Sequence, residues 1–86
     1  MIKILDFYAD WCGPCKMMDP IFKRVMSEYP MIDTLKINVD SNEQLTKDYN
    51  VQSIPTLIFM KDDVEVGRLN GFASTDAIKN VLNRII

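Results

Sequence analysis

Residues 2–9, IKILDFYA, form a nearly continuous apolar run interrupted by a single carboxylate, Asp6. Such a run reads as a strand buried on both faces. A strand with no wet face needs a layer of structure on each side of its sheet. The chain has the length for one such core, with 86 residues of which 48% are hydrophobic. Two cores would each be too small. No internal repeat, low-complexity tract or linker divides the sequence, so residues 1–86 are expected to form a single domain.

The segments that follow supply the layers. Residues 12–29 place Met18, Ile21, Phe22, Val25, Met26 and Tyr29 at three- and four-residue spacing, which predicts a helix with a wide apolar stripe. Pro14 is tolerable in its first turn, Pro20 lies inside it, and Tyr29-Pro30 is expected to end it. Residues 34–40 alternate, with Leu35, Ile37 and Val39 on one face and Lys36, Asn38 and Asp40 on the other. That pattern predicts a half-polar strand at a sheet edge. Ser41 and Gln44 have the spacing of a capping box for a short helix through Tyr49. Residues 56–60 and 64–70 flank Lys61-Asp62-Asp63 and read as a hairpin whose turn lacks a glycine. Gly71 breaks the chain, and Ser74 caps a last helix with Ala77, Ile78, Val81, Leu82 and Ile85 in one stripe. The order is β-α-β-α-β-β-α. The first two strands are joined through a helix and so run parallel, the last two antiparallel, giving a four-stranded mixed sheet flanked by three helices.

A net charge of −2 provides no basic stripe for nucleic acid. The longest apolar runs fall far short of the roughly 20 residues a helix needs to cross a bilayer, and Asp6 interrupts the N-terminal run before it could serve as a signal peptide. A cytoplasmic location is expected, where disulfides do not persist as structural staples. The chain has no histidine, so proton transfer near neutral pH falls to a thiol or a carboxylate.

Both cysteines lie in one C-x-x-C, Cys12 and Cys15, at the junction of the first strand with the first helix. In an open α/β sheet, chemistry gathers beyond the carboxyl end of a strand where a helix begins. The free N–H groups and dipole of a helix start stabilise a Cys12 thiolate. Cys15 lies one turn in and on the same face. One accessible thiol with one recessed partner makes a dithiol able to attack a foreign disulfide and then resolve the mixed disulfide. Two buried structural cysteines are the bland alternative. Structural zinc wants four ligands where this chain has two, and a shared iron–sulfur site would need a second copy.

Trp11-Cys12-Gly13-Pro14-Cys15-Lys16 resembles the thioredoxin active-site signature, and Ile54-Pro55-Thr56 is similar to the segment that carries that family's cis-proline. Asp6, Pro20, Lys36 and Gly71 also fall where thioredoxins carry like residues. The resemblance spans Met1 to Ile86, without the extra first strand and helix of full-length thioredoxins. The shortened form is similar to glutaredoxins and other small redox proteins. Tyr8 stands where tryptophan is common, Asp19 where a small or apolar residue is usual, and Asp63 where the hairpin has glycine.

The resemblance implies a minimal thioredoxin fold and a protein-disulfide reductase whose only redox group is a Cys12–Cys15 disulfide, with no bound cofactor or metal. It implies protein disulfides as substrates, a thioredoxin reductase or another electron donor, and a monomer. Cys12 would attack and Cys15 resolve. Trp11, Gly13, Pro14, Ile54, Pro55, Gly71 and Phe72 would form the substrate face, with the Ile54 backbone pairing with an extended segment.

Asp6 in a central strand is costly if ionised. It reads either as a structural ion pair with Lys36 or as a proton acceptor for Cys15, with Lys36 as its partner. Lys16, Asp10 and Asp19 read as solvated charges. A glutaredoxin-type enzyme acting on glutathione mixed disulfides fits the size but not the motif. A redox-silent binding module is the alternative from another class.

Overall fold

A computed structural model describes residues 1–86. Strand β1 (Ile2–Tyr8) leads into helix α1 (Gly13–Met26), then strand β2 (Asp33–Asn38) and helix α2 (Glu43–Asp48). Strands β3 (Thr56–Lys61) and β4 (Val64–Asn70) follow, and helix α3 (Thr75–Ile85) closes the order. One sheet holds all four strands in the order β2-β1-β3-β4, with β1 parallel to β2 and antiparallel to β3, and β3 antiparallel to β4. The element order and the mixed sheet are those the sequence predicts.

Alternation along the central strands divides the core. Ile4, Leu57 and Phe59 point toward Met18, Phe22 and Val25 of α1 and toward Ile78, Val81 and Leu82 of α3. Leu5, Phe7, Ile37 and Ile58 point to the other face, where Leu45 and Tyr49 of the α2 segment cover them. Gly67 lets α3 approach the sheet: a Cβ there would stand 3.0 Å from the Val81 Cγ1. Burial of the two apolar faces is the main stabilising term, at about 25 cal/mol per Å² removed from water.

Three local expectations are corrected, and the expected hairpin forms with its glycine-free turn. Helix α1 stops at Met26 rather than Tyr29, because its last turn tightens. The Glu28 and Tyr29 N–H groups donate to Val25 and Met26, three residues back, at 3.0 Å each. The Ser41–Gln44 capping box does not form. Asn42 is the N-cap without a side-chain cap bond, and the Gln44 amide donates to Asp48 at 2.8 Å. Leu35 does not share the burial of Ile37: the short α2 covers the Ile37 end of the edge strand and leaves Leu35 44% exposed. The hairpin turn manages without glycine, since Asp62 and Asp63 both take positive φ, 51° and 67°. Aspartate tolerates that region better than most residues, and the N-terminal ammonium sits 2.7 Å from the Asp62 carboxylate.

Candidate active site

Strand β1 ends at Tyr8, and the next four residues turn the chain into α1. Cys12 is the N-cap of that helix, with extended backbone angles, and its Sγ accepts a hydrogen bond from the Cys15 N–H at 3.2 Å. The first turn carries no acidic residue. Negative charge on the Cys12 sulfur is therefore stabilised by the free N–H groups and by the helix dipole. Pro14 occupies the first helical turn, where its missing N–H leaves no intrahelical bond unmade.

Cys12 and Cys15 are joined as a disulfide, with Cα atoms 5.2 Å apart. The expectation of one exposed and one recessed sulfur is corrected: Cys12 is 4% and Cys15 7% exposed. Ala9, Tyr8, Val39 and Ile54 pack around the pair. What separates the two sulfurs is the company each keeps. Cys15 lines a cleft of about 260 Å³ together with Asp6, Tyr8, Lys16, Asp19 and Lys36, and Cys12 does not.

Asp6 lies at the buried end of that cleft, only 4% exposed. Desolvation raises its pKa to about 6, against the lowering pull of Lys36 and with a further push from the Asp19 charge. Lys36 stands directly opposite in the β1–β2 register. Its ammonium nevertheless donates to Asp19 Oδ1 at 3.0 Å and lies 4.5 Å from the centroid of the Tyr8 ring. The direct Asp6–Lys36 ion pair is therefore not the arrangement found.

Asp19 is not a solvated charge. One oxygen holds Lys36 and the other holds Lys23 at 2.9 Å. Those hydrogen bonds, from Lys23 and then Lys36, keep its pKa below the ordinary value. Burial works against the Lys36 ammonium, but the Asp19 hydrogen bond and the nearby carboxylates outweigh it and raise its pKa. Sequence reasoning missed Asp19. The available signals were its place one turn after Cys15 and its departure from the usual small residue.

On the other side of the disulfide, Trp11 is 69% exposed, and its indole N–H donates to Asp40 Oδ2 at 2.9 Å. Trp11 and Ile54 line a shallow groove together with Val39 and Val51. The Ile54–Pro55 peptide bond is cis. Pro55 is buried, and its carbonyl accepts from the Gly71 N–H at 2.7 Å, which fixes Gly71 (φ 84°) and the half-exposed Phe72 beside it. Gly13 and Pro14 are exposed at the head of α1. A Cβ on Gly13 would meet nothing within 4 Å. Asp40 has no local sequence signal, because the turn after β2 brings it to Trp11.

A vicinal disulfide at a helix start, with a buried carboxyl behind one sulfur, is built for thiol–disulfide exchange. The thioredoxin family model matches residues 1–84. The chain belongs to the thioredoxin family. It is 42% identical over 83 residues to a thioredoxin of Chlamydia pneumoniae, covering 96% of this chain and 81% of that protein. It is 40% identical over 84 residues to a thioredoxin of Staphylococcus epidermidis, with the same coverage of 96% and 81%. The crystal structure of Fasciola hepatica thioredoxin superposes with a TM-score of 0.87 at 34% identity, over 95% of this chain and 79% of that one. Membership in the thioredoxin family together with the Cys12–Cys15 pair makes this chain a dithiol protein-disulfide oxidoreductase, and the disulfide is its redox-active group. No helix is long and apolar enough to cross a membrane.

Proposed function

We propose that this chain acts as a single-domain, monomeric, cytoplasmic reductant of protein disulfides, in which the two cysteines have fixed and different roles. The Cys12 thiolate attacks one sulfur of a substrate disulfide. A mixed disulfide forms and the first substrate thiolate leaves. Cys15 then gives its proton to the Asp6 carboxylate and attacks Cys12 Sγ. The Cys12–Cys15 bond forms, the bond from Cys12 to substrate breaks, and the second substrate thiolate leaves with the electron pair. The two departing thiolates take up the protons that the dithiol has lost. Two electrons thus pass from the dithiol to the substrate.

One observation carries the assignment: Cys15, and not Cys12, shares a cleft with the buried Asp6. A carboxylate with a pKa near 6 is a better base for a thiol than an ordinary aspartate, and the cleft brings the two groups to one space. Lys36, at the mouth of the same cleft, is the partner that tempers the charge on Asp6. Trp11, Gly13, Pro14, Ile54, Pro55, Gly71 and Phe72 are the receiving face for substrate. The shallow groove beside Trp11 and the exposed Phe72 support this reading, because they suit an extended protein segment better than an enclosed small molecule.

A separate thioredoxin reductase is the electron donor in this reading. Insulin reduction, measured in parallel with thioredoxin reductase and with glutathione, tests it. Turnover with the reductase is expected. Turnover with glutathione alone would move the protein to the glutaredoxin type. Failure of both donors and of dithiothreitol would leave a binding module.

A further inference from the structure

The cleft beside Cys15 contains a cation that does not do what its position invites. Lys36 on β2 stands opposite Asp6 on β1, in the same row of the parallel ladder, and lines the same cleft. A lysine has three N–H donors on a long flexible stem and would ordinarily seek a neighbouring buried carboxylate. The Lys36 ammonium is instead held away by two groups: Asp19 Oδ1 at 3.0 Å and the face of the Tyr8 ring at 4.5 Å. Asp19 is itself braced. Its second oxygen accepts from Lys23, one helical turn on, at 2.9 Å. Its backbone lies one turn beyond Cys15 on α1, so its side chain overhangs the cleft from the helix side.

We infer that Asp19 is a positioning residue that anchors Lys36 and so keeps the ammonium from closing an ion pair on Asp6, the proton acceptor of Cys15. The inference rests on the roles given to Cys15 and Asp6 above. A carboxylate in direct contact with an ammonium is a poor base, because abstraction of a proton would break the pair. A carboxylate with the same cation held at a remove remains basic, while the cation still moderates the cost of burying its charge. Asp19 thereby sets how strong a base Asp6 is.

The titratable groups that share the cleft with Asp6 are few. Tyr8 comes from its own strand, Lys36 from β2, and Cys15, Lys16 and Asp19 from α1. Its neighbour across the β3 ladder is the apolar Leu57. With Asp19 removed, Asp6 is the one carboxylate of the cleft left to Lys36.

Titration of the Asp6 carboxyl by carbon NMR in the oxidised protein reads this directly and does not depend on turnover. In Asp19→Ala the Asp6 midpoint should fall by about one pH unit from its value near 6, the size expected when an opposite charge closes on a carboxylate. In a Lys36→Met background the same Asp19→Ala change should move the midpoint by less than half as much, since no ammonium remains to be released. Asp19→Glu should restore the wild-type midpoint. An unmoved or raised midpoint in Asp19→Ala overturns the inference. Equal shifts in both backgrounds also overturn it, because Asp19 would then act only through its own charge. Absence of insulin reduction by the wild-type protein is a separate failure: it removes the reductase reading and leaves the titration result standing.

Discussion

Asp6 and Lys36 occupy facing positions on β1 and β2, yet the Lys36 ammonium is bound to Asp19 on α1 rather than to Asp6. The consequence is a buried carboxyl without a contact partner of opposite charge, in a cleft it shares with Cys15. Two different costs are separated by this arrangement. The Lys36 charge still offsets part of the cost of burying a charge on Asp6, without the direct contact that would quench the basicity the proposed proton transfer needs.

That balance has a sign that stability measurements can read. The Asp6 pKa rises from 3.8 to about 6 on folding, so between those values the folded protein holds a proton that the unfolded chain has released. Stability from this group is full below pH 3.8, falls as pH rises toward 6 and is lost above it. The shift corresponds to about 3 kcal/mol. Asp6→Asn is therefore expected to be more stable than wild type at pH 8, with the advantage shrinking toward pH 4. Urea denaturation of both proteins across this range measures it, and an advantage independent of pH would show that the carboxyl titrates normally.

The same substitution separates the two chemical steps. Cys12 does not line the Asp6 cleft, so its attack on substrate should be little changed in Asp6→Asn. Release of the mixed disulfide by Cys15 should slow markedly at neutral pH. Rapid-quench kinetics with a chromophoric disulfide resolve the two phases, and slowing confined to the first phase would assign Asp6 to Cys12 instead.

The cysteine roles proposed above rest on the place of Cys12 at the helix start. Cys15→Ser should retain attack and accumulate a covalent mixed disulfide with substrate, whereas Cys12→Ser should abolish reduction. Mass spectrometry of each variant after incubation with oxidised insulin identifies the trapped sulfur. Adducts on Cys15 in place of Cys12 would reverse the assignment.

Much of this was legible in the sequence because it is local. The doubly buried β1, the apolar stripe of α1 and the hairpin after Pro55 are patterns written within single segments, and they sufficed for the element order and the mixed sheet. The cysteine pair was legible for the same reason, since its meaning comes from the strand-to-helix junction it occupies. The lysine at Lys36 was visible but its partner was not. Register places it opposite Asp6, while the choice of Asp19 depends on how α1 lies over the sheet. Leu35 failed for a related reason: alternation says which face a side chain takes, not whether a helix reaches far enough to cover it.

Leu35 and Ile37 make that distinction measurable. They point the same way from β2, but Ile37 is buried and Leu35 is open. Ile37→Ala should cost about 2–5 kcal/mol through lost burial and the cavity left behind. Leu35→Thr should stay within about 0.5 kcal/mol of wild type, as exposed substitutions do. Chemical denaturation of the two variants compares them, and a large loss at Leu35 would mean that this edge is covered in solution, for instance by a second copy.

The last prediction concerns the other side of the disulfide. Trp11 is largely exposed, and its one polar anchor is the Asp40 carboxylate, 2.9 Å from the indole nitrogen. A bond between exposed groups contributes little to folding, about 1 kcal/mol or less, so Asp40→Ala should unfold within that margin of wild type. Its effect should fall on recognition instead. Without the anchor the indole samples several rotamers and must be ordered when a substrate docks, at about 0.5–1.5 kcal/mol for such a side chain. That corresponds to a KM for protein disulfides raised by roughly two- to twelvefold, at 1.4 kcal/mol per factor of ten. The sulfurs and Asp6 are untouched, so kcat should remain near the wild-type value. Trp11 is the only tryptophan in the chain, and its fluorescence anisotropy reports the same loss of order without any substrate. A lowered anisotropy with an unchanged KM would remove Trp11 from the substrate face, and a fall in kcat alone would place Asp40 in the chemistry rather than in docking.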